Sequence, residues 1–450
     1  MHSVPQANFL NPALQQDCRL FIGLPVISSV HVNAANSGFT LNQLLDKQPD
    51  NTYTIDADYV TTKLAPRNFF TSEAHTSLLA VGLRRDAYYF TFSINEKDNT
   101  MVLYQRDIAL LALDGNTQFE GKTVSMQSTG AFFNHYREYA LGVSKQIDDA
   151  TTIGVKAKLL FGKLNAETPK MNVSLFTEEN TFNLFFDADS RLNSSLPYSI
   201  EADSSGNYVI VERYDAPLKD YILNRSNPGF ALDFGFLYRY SDEVVFSGSL
   251  LDVGFLRYAS HLTNYSLMGE YQYDGPLNDS VITEDYVNDL LNSLTDNMED
   301  ELSTNAYYHF LTPRLLLGAT YEWSPKISIN ALWYNRFHQM KYQTGFMLSA
   351  LARPLENLET SLSWSYMNRS ALNLGVGIAY GRSPLQVYLV SDNILAPLFP
   401  MNTKNLNLRF GVNIHLGCSA PKEKITGCGC YWLQQAEEER NRKEKKLHRR

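Results

Sequence analysis

Hydrophobic and polar residues alternate with a period of two along much of this chain. The segment 406–416 shows the alternation most clearly, with apolar and polar residues separated between its two faces. One face carries Leu406, Leu408, Phe410, Val412, Ile414 and Leu416, and the other carries Asn407, Arg409, Gly411, Asn413 and His415. Similar alternation recurs at 230–240, 358–366 and 372–380, and roughly 14 to 18 segments qualify as strands by this criterion. Because successive side chains of a strand point to opposite faces, the pattern predicts an all-β protein.

The lengths of these segments favour a membrane barrel over a soluble β-sandwich or a soluble lipocalin-like barrel. Strands of soluble proteins are typically about 5 to 6 residues long, whereas a tilted strand needs about 9 to 11 residues to cross a bilayer. Several segments here alternate over 9 to 11 residues, and their polar faces are rich in Gly, Ser and Asn. Such a face suits a polar lumen. We therefore predict a transmembrane antiparallel β-barrel of about 14 strands over residues 18–418.

Composition supports the same prediction. The 450 residues include 25 Phe, 27 Tyr and 4 Trp, and they contain no apolar block long enough for a transmembrane helix. Aromatic residues cluster toward the ends of predicted strands, in the pairs Tyr238/Tyr240, Tyr321/Trp323, Trp333/Phe337 and Trp364/Tyr366. Aromatic belts of this kind mark the interfaces of a bilayer. The net charge of −9 argues against a nucleic-acid partner.

Residues 1–17 show no alternation of their own and lie directly before the first predicted strand. They combine amide side chains with turn formers, and we single out Pro5, Asn11 and Pro12. The lumen of a barrel of about 14 strands is too wide for its own wall side chains to fill. We therefore predict that residues 1–17 plug the lumen. The opening residues lack the basic stretch and apolar core of a signal peptide, so we take the sequence to represent mature protein.

The four cysteines flank the predicted barrel. Cys18 stands just before the first strand and Cys418 just after the last, and these two strands are neighbours in a closed barrel with an even strand number. A disulfide between them is geometrically plausible. Cys428 and Cys430 could instead pair with each other, pair with the first two or bind a metal. A disulfide is favoured over zinc because the chain has no C-x2-C ligand cluster.

Two segments have helical rather than strand periodicity. Residues 282–302 place Tyr286, Leu290, Leu294 and Met298 on one stripe of an otherwise acidic amphipathic helix. This helix either covers its own barrel mouth or docks a partner. Residues 101–114 predict a second, short helix that ends near Gly115 and lines or plugs the lumen.

The C-terminal segment 419–450 departs from the barrel composition. Between residues 434 and 450 it holds seven Lys or Arg and four Glu. Its simplest interpretation is a solvated, charged periplasmic tail. A sharper hypothesis makes it a handle for an acidic partner, with Arg440, Lys443 and Lys446 as candidate contacts.

Motifs for catalysis are lacking. The sequence contains no GxSxG, HExxH, GxxxxGK[ST] or GxGxxG motif, and its nine histidines show no metal-ligand spacing. We therefore predict no catalytic residues, no cofactor and no metal, and a protein that is not an enzyme.

Several short motifs resemble those of a known group of barrels. Residues 11–14 read Asn-Pro-Ala-Leu before Cys18, and further matches lie at 156–162 (KAKLLFG), 249–254 (SLLDVG) and 388–393 (YLVSDN). These motifs are similar to those of Bacteroidota outer-membrane barrels with an N-terminal Asn-Pro-Ala signature, an uncharacterised family related to the PorV and PorP/SprF barrels of type IX secretion. The broader resemblance is to FadL-like barrels of about 14 strands with an N-terminal plug. It implies a bacterial outer-membrane location with both termini in the periplasm.

Two functions of different class follow. The first is a plugged, non-catalytic subunit of an envelope complex, linked to secretion or surface assembly, with other envelope proteins and outer-membrane lipid as partners. The second is a FadL-like transporter that binds a small hydrophobic molecule. We favour the first from sequence, because of the long loops, the cysteine-containing rim and the charged tail.

Overall fold

A closed antiparallel barrel forms the wall of the molecule, and within the residues described it has fourteen strands. The all-β barrel predicted from the alternation is confirmed. The structure is a computed structural model. It describes residues 3–181, 183–202, 208–212, 223–273, 293–294, 296–338, 341–381 and 383–418.

Several wall strands are divided into two or three pieces by short interruptions or insertions. The wall strands are β1 (Cys18–Gly23, continued by Val30–Asn36), β2 (Arg67–Arg85), β3 (Tyr88–Gln105), β4 (Gly130–Gln146), β5 (Thr151–Thr177), β6 (Leu184–Ser195, continued by Pro228–Arg239), β7 (Val244–Tyr258, continued by Asn264–Tyr273), β8 (Glu299–Ser303, Tyr307–Phe310 and Arg314–Ser324), β9 (Ile327–His338), β10 (Lys341–Leu355), β11 (Leu358–Met367), β12 (Ser370–Tyr380), β13 (Leu385–Ser391) and β14 (Asn405–Cys418). Each strand pairs with its neighbours in chain order, and β1 closes the barrel by pairing with β14 as well as β2.

Short elements lie outside the wall. The helices are α1 (Leu41–Leu44), α2 (Ala57–Thr62), α3 (Arg106–Asp114) and α4 (Leu395–Leu398), with 3-10 turns at Pro5–Phe9, Thr117–Phe119 and Pro400–Asn402. Two hairpins join Leu45–Lys47 to Tyr53–Ile55 and Tyr198–Ala202 to Tyr208–Glu212, and Thr123–Ser125 pairs with the end of β5. Among the residues described, no helix is both long and apolar enough to cross a bilayer.

The two ends of the barrel differ in their connections. At the end that holds Cys18 and Cys418, called the near end, six connections of two to four residues join the strands. At the opposite end, called the far end, the chain makes long excursions at 37–66, 106–129, 274–298 and 392–404. Short turns at one rim and longer loops at the other are characteristic of outer-membrane barrels.

The outer surface of the wall is apolar, as the alternation predicted. On β14, Leu406, Leu408, Phe410 and Leu416 are exposed, and Phe410 retains 40% of its accessible surface. The alternate residues Asn413 and His415 are buried on the inner side. The aromatic pairs predicted at strand ends are also exposed, including Tyr238, Trp323, Trp333 and Tyr366. A barrel with this apolar outer surface is suited to lipid and not to water.

Replacing Phe410 with Arg should impair insertion, because the new charge would face the bilayer. We expect a loss of about 2 to 4 kcal/mol in folding free energy if the position lies near the midplane, measured by denaturant unfolding in lipid vesicles. Phe410→Leu keeps the position apolar and is the matched control. Arg409→Gln, on the inner face of the same strand, should also insert normally. Equal tolerance of Phe410→Arg and Phe410→Leu would contradict a lipid-facing position.

At the far end, loop elements pack together against the ends of the wall strands. A cluster of buried apolar residues, called here the far-end cluster, joins the loop helices to the ends of β5 and β6. It consists of Val60, Leu64, Leu110, Phe119, Val124, Leu175, Leu184, Phe186, Ala188 and Met298. Leu294 packs against it from residues 293–297, of which 293–294 and 296–297 are helical.

The predicted bounds of both loop helices were wrong, because each range includes residues that form a strand. The helix predicted over 101–114 begins only at Arg106, because Met101–Gln105 pair with β2 and β4 as part of β3. The helix predicted over 282–302 does not reach its expected end, since Glu299–Ser303 form a strand that pairs with β7. Tertiary pairing overrides the local helical periodicity in both places. Residues 282–292, with Tyr286 and Leu290, lie outside the described residues.

A disulfide joins Cys18 to Cys418 across the seam at the near end. The two residues are direct partners in the register of β1 and β14. Cys428 and Cys430 lie in the segment 419–450, outside the described residues.

Proteolysis can test this bond without disturbing the wall. A protease site inserted at Gly115, where the surroundings are open, would cut the chain between α3 and β4. In denaturing gels without reductant, the two fragments should stay joined through Cys18 and Cys418. They should separate when reductant is added or when Cys18 is replaced by Ser. Separate fragments from oxidised wild-type protein would refute the bond.

Candidate functional site

The N-terminal segment lies inside the barrel. Its 3-10 turn, Pro5–Phe9, buries Pro5, Gln6 and Asn8 against the inner wall. Gln6 donates from Nε2 to Asn413 Oδ1 over 2.7 Å and accepts from Asn413 Nδ2 over 3.0 Å. Gln386 Nε2 donates to the carbonyl oxygen of Ser3. These bonds attach the start of the segment to β13 and β14.

The same segment also reaches the wall formed by β5, β6 and β7. Asn11 Nδ2 donates to the carbonyl oxygens of Phe236 and Gly248, over 3.2 and 3.3 Å. Ser249 Oγ donates to the carbonyl oxygen of Leu10 over 2.6 Å. Strands β5 to β7 lie across the barrel from β13 and β14, so residues 3–13 bridge the lumen between opposite walls.

Glycines in the wall make room for this segment. A side chain at Gly235 would collide with Asn11, and one at Gly154 would collide with the backbone of Pro12. Glycine allows a backbone to approach a wall this closely. The predicted plug candidates Pro5, Asn11 and Pro12 are therefore all placed within the lumen, where Asn11 makes the cross-lumen contacts.

A network of buried charges lies beside the plug. Lys158 of β5 is at its centre, with Nζ 2.6 Å from Asp252 Oδ1, 2.7 Å from Asp233 Oδ1 and 3.6 Å from Glu138 Oε2. Lys97 Nζ lies 2.7 Å from Glu138 Oε2, and Arg314 Nη2 lies 2.5 Å from Asp252 Oδ2. Each carboxylate thus contacts at least one cation. Buried charges of this kind are tolerated only when paired.

Further polar contacts extend the network toward the far end. Arg336 Nη1 lies 2.6 Å from Glu73 Oε1, and His309 Nδ1 lies 2.5 Å from Glu167 Oε2. Tyr307 donates from its hydroxyl to Asn165 Oδ1 over 2.8 Å. Strands β2, β5, β8 and β9 supply these residues, so the polar groups connect separate parts of the wall.

Two of the motifs quoted from the sequence supply the centre of this network. Lys156 and Lys158 belong to the motif at 156–162, and Asp252 belongs to the motif at 249–254. A break in register between β6 and β7 falls at Asp252, whose φ of 58° lies in the left-handed region. Irregular positions of this kind re-aim a side chain. The sequence analysis did not predict this network. Charged residues at alternate positions within apolar strands could have indicated it.

Two small cavities adjoin the plug and the network. One, of about 50 Å³, is lined by residues from the plug and the wall, among them Leu10, Ser29, Lys156, Arg314 and Arg409. The other, also about 50 Å³, is lined by Glu73, His75, Phe132, His309 and Arg336 among others. Each of the two has room for a small polar group.

The remaining predicted site residues fall into two groups. Met298 is buried in the far-end cluster and Leu294 packs against it, so in this conformation both contact their own barrel. Arg440, Lys443 and Lys446 lie outside the described residues, together with the whole tail.

The fold has counterparts among solved structures, all distant in sequence. The Ralstonia pickettii toluene transporter TbuX is 9% identical, with a TM-score of 0.43, over 92% of this chain and 94% of that chain. A Pseudomonas aeruginosa FadL homologue is 10% identical, with a TM-score of 0.41, over 92% and 94%. The Pseudomonas putida toluene transporter TodX is 8% identical, with a TM-score of 0.37, over 91% of each chain.

Sequence comparison gives the family. No curated protein matches the chain. Residues 12–392 match the model of a family of unknown function, DUF5723, which spans most of the barrel. The chain therefore belongs to the family DUF5723.

Proposed function

We propose that the protein is a gated channel of the bacterial outer membrane that takes up small hydrophobic compounds. This reverses the preference drawn from sequence. The observation that carries the proposal is the pairing of an apolar far-end cluster with a polar plug. The cluster packs loop helices against the far ends of β5 and β6, and the plug is hydrogen-bonded to opposite walls of the lumen. The first suits capture of an apolar molecule, and the second suits a gate.

The contacts of the plug support a gating role. Its bonds to the wall are hydrogen bonds in which amide, hydroxyl and ammonium groups donate to carbonyl oxygens, such as Gln6 to Asn413, Ser249 to Leu10 and Lys156 to Asn8. Such groups can exchange their partners for water at small net free energy. The plug is also continuous with β1, which the disulfide fixes at Cys18. Residues 3–17 can therefore move while the wall stays closed.

The regular pairing of β1 is interrupted beside the plug, although Leu24 and Ile27 stay hydrogen-bonded to Val412 of β14. Residues 24–29 separate the two pieces of β1, and on β14 only Gly411 and Val412 lie opposite them. Val26 and Ile27 project outward, whereas Ser28 and Ser29 are buried. This interruption is the candidate place for lateral release into the membrane, with release through the near end as the alternative route.

We orient the barrel with its near end in the periplasm. The short turns and both ends of the barrel chain lie at that rim. Outer-membrane barrels keep short turns on the periplasmic side and longer loops outside. The far-end cluster then faces the exterior, where ligand would arrive.

A second candidate function is a non-conducting subunit of an envelope complex, with secretion as one role. The charge network favours it, because Lys158, Asp233 and Asp252 lie buried on the inner wall and would have to remain paired during transport. In that case the helix near Leu294 and the tail cations Arg440, Lys443 and Lys446 would be the docking elements.

Mild purification from native membranes distinguishes the two functions. Apolar small molecules or lipid extracted from the purified barrel, without stable partner proteins, would support the channel. A stoichiometric envelope protein and no extractable ligand would overturn it in favour of the complex. Uptake of an apolar tracer by cells with and without the protein provides the direct measurement.

A further inference from the structure

The cavity beside the plug carries more positive charge than its carboxylates balance. Five cationic side chains line it, namely Lys97, Lys156, Lys158, Arg314 and Arg409, together with the carboxylates of Glu138 and Asp233. Asp252 adds a third carboxylate, bound to Lys97, Lys158 and Arg314. Among these eight groups the cations exceed the carboxylates by two, while Asp392 and Glu73 lie near Arg409 without forming an ion pair with it.

Arg409 and Lys156 are the two cations of this cavity that form no ion pair in the described part of the chain. Among the residues described, neither has a carboxylate within the 4.0 Å of an ion pair, whereas Lys97, Lys158 and Arg314 each have one. Lys156 Nζ donates only to the carbonyl oxygen of Asn8, over 3.0 Å, and lies 5.2 Å from the ring centre of Phe9. A buried cation without a counter-ion is unfavourable unless something supplies the charge.

The register places further donors beside Arg409. Four inward-facing residues, Arg409, His31, His75 and Lys97, are successive partners across β14, β1, β2 and β3. His31 is nine-tenths buried, and its Nδ1 has no hydrogen-bond partner in the described part of the chain. A row of donors next to this cavity is suited to an acceptor with several oxygens.

We propose that this cavity binds a small oxyanion, a carboxylate or phosphate group held by Arg409 and Lys156. Its volume of about 50 Å³ exceeds the roughly 10 to 15 Å³ that a site needs to hold one water molecule, so it has room for a small polyatomic group. The group is therefore a free anion or the head of a longer molecule whose tail lies outside the cavity. The bound anion would neutralise the excess charge between the plug and the wall.

A metal ion is a poorer occupant of the same region. Ligand atoms of His31, Glu73 and His75 lie within 4.8 Å of one another. However, Glu73 already accepts from Arg336, and Arg409 is the cross-strand partner of His31. These guanidinium groups would repel a divalent cation at short range.

Calorimetric titration of the purified, full-length barrel in detergent tests the proposal. Sodium phosphate, acetate and octanoate are added separately at constant ionic strength in a chloride background. Binding of phosphate or acetate would indicate a free anion, and binding of octanoate alone would indicate the head of an amphiphile. Either result supports the site. Zinc chloride is titrated in parallel.

Variants locate the binding. Arg409→Gln and Lys156→Gln should each weaken the affinity about tenfold or more, because each removes a charge-assisted hydrogen bond. Arg239→Gln, at an exposed position of the near rim, is the matched control and should bind like wild type. Heat-dependent gel migration verifies that each variant is folded. The proposal is overturned if wild type binds none of the three anions, if Arg239→Gln weakens binding equally, or if zinc alone binds and His31→Gln abolishes its binding.

Discussion

Replacing Lys158 with Met should destabilise the barrel by about 3 to 5 kcal/mol, the range found when one partner of a buried ion pair is removed. Lys158 Nζ lies within 2.7 Å of both Asp233 and Asp252, and its side chain is 4% exposed. Without it, Asp233 keeps no cation within ion-pair distance in the described part of the chain. Unfolding in denaturant, in lipid or detergent, gives the free energy directly.

Lys170→Met is the matched control for this substitution. Lys170 lies on the same strand and pairs with Asp189, but both side chains are more than two-fifths exposed. Exposed pairs contribute about 0 to 1 kcal/mol, so this variant should remain near wild type. Adding Asp233→Asn to Lys158→Met should recover part of the loss, since it removes the uncompensated charge. Equal stability of Lys158→Met and Lys170→Met would show that the network does not hold the walls together.

Deleting residues 2–12 should open the lumen. These residues include Gln6 and Asn11, whose bonds attach the plug to opposite walls. Once they are removed, water replaces the plug, and the charged inner wall can conduct ions. We expect single-channel conductance in planar bilayers to rise from near zero, and cells to become more sensitive to bulky antibiotics.

The deletion needs a control at the other terminus and a milder variant. Removal of residues 440–450 takes away the same number of residues and should leave conductance unchanged. Lys156→Met keeps the plug but removes the bond to Asn8, and it should cause brief openings. A large, steady conductance in the intact protein, unaltered by the N-terminal deletion, would refute the plug.

The sequence by itself determined the class of the fold and the direction of its faces. Alternation in 406–416 correctly separates Phe410, which faces outward, from Asn413, which faces the lumen. Successive side chains of a strand point to opposite faces of the sheet. A period of two in hydrophobicity therefore shows, from one strand alone, which residues face lipid and which face the lumen. The pairing of Cys18 with Cys418 could also be predicted from sequence. In a closed barrel with an even number of strands, the start of the first strand and the end of the last strand lie at the same rim.

Tertiary structure alone decided which inward residues meet. Lys158, Asp233 and Asp252 come from three different strands, and the contact depends on register and on the irregular backbone at Asp252. Register is fixed by pairing across the whole sheet, so a single strand does not reveal its partners. The same holds for the helical periodicity at 101–105, which pairing with β2 and β4 overrides. Arg409 and Lys156 line one cavity only when the barrel closes, because the two residues are 253 positions apart in the chain.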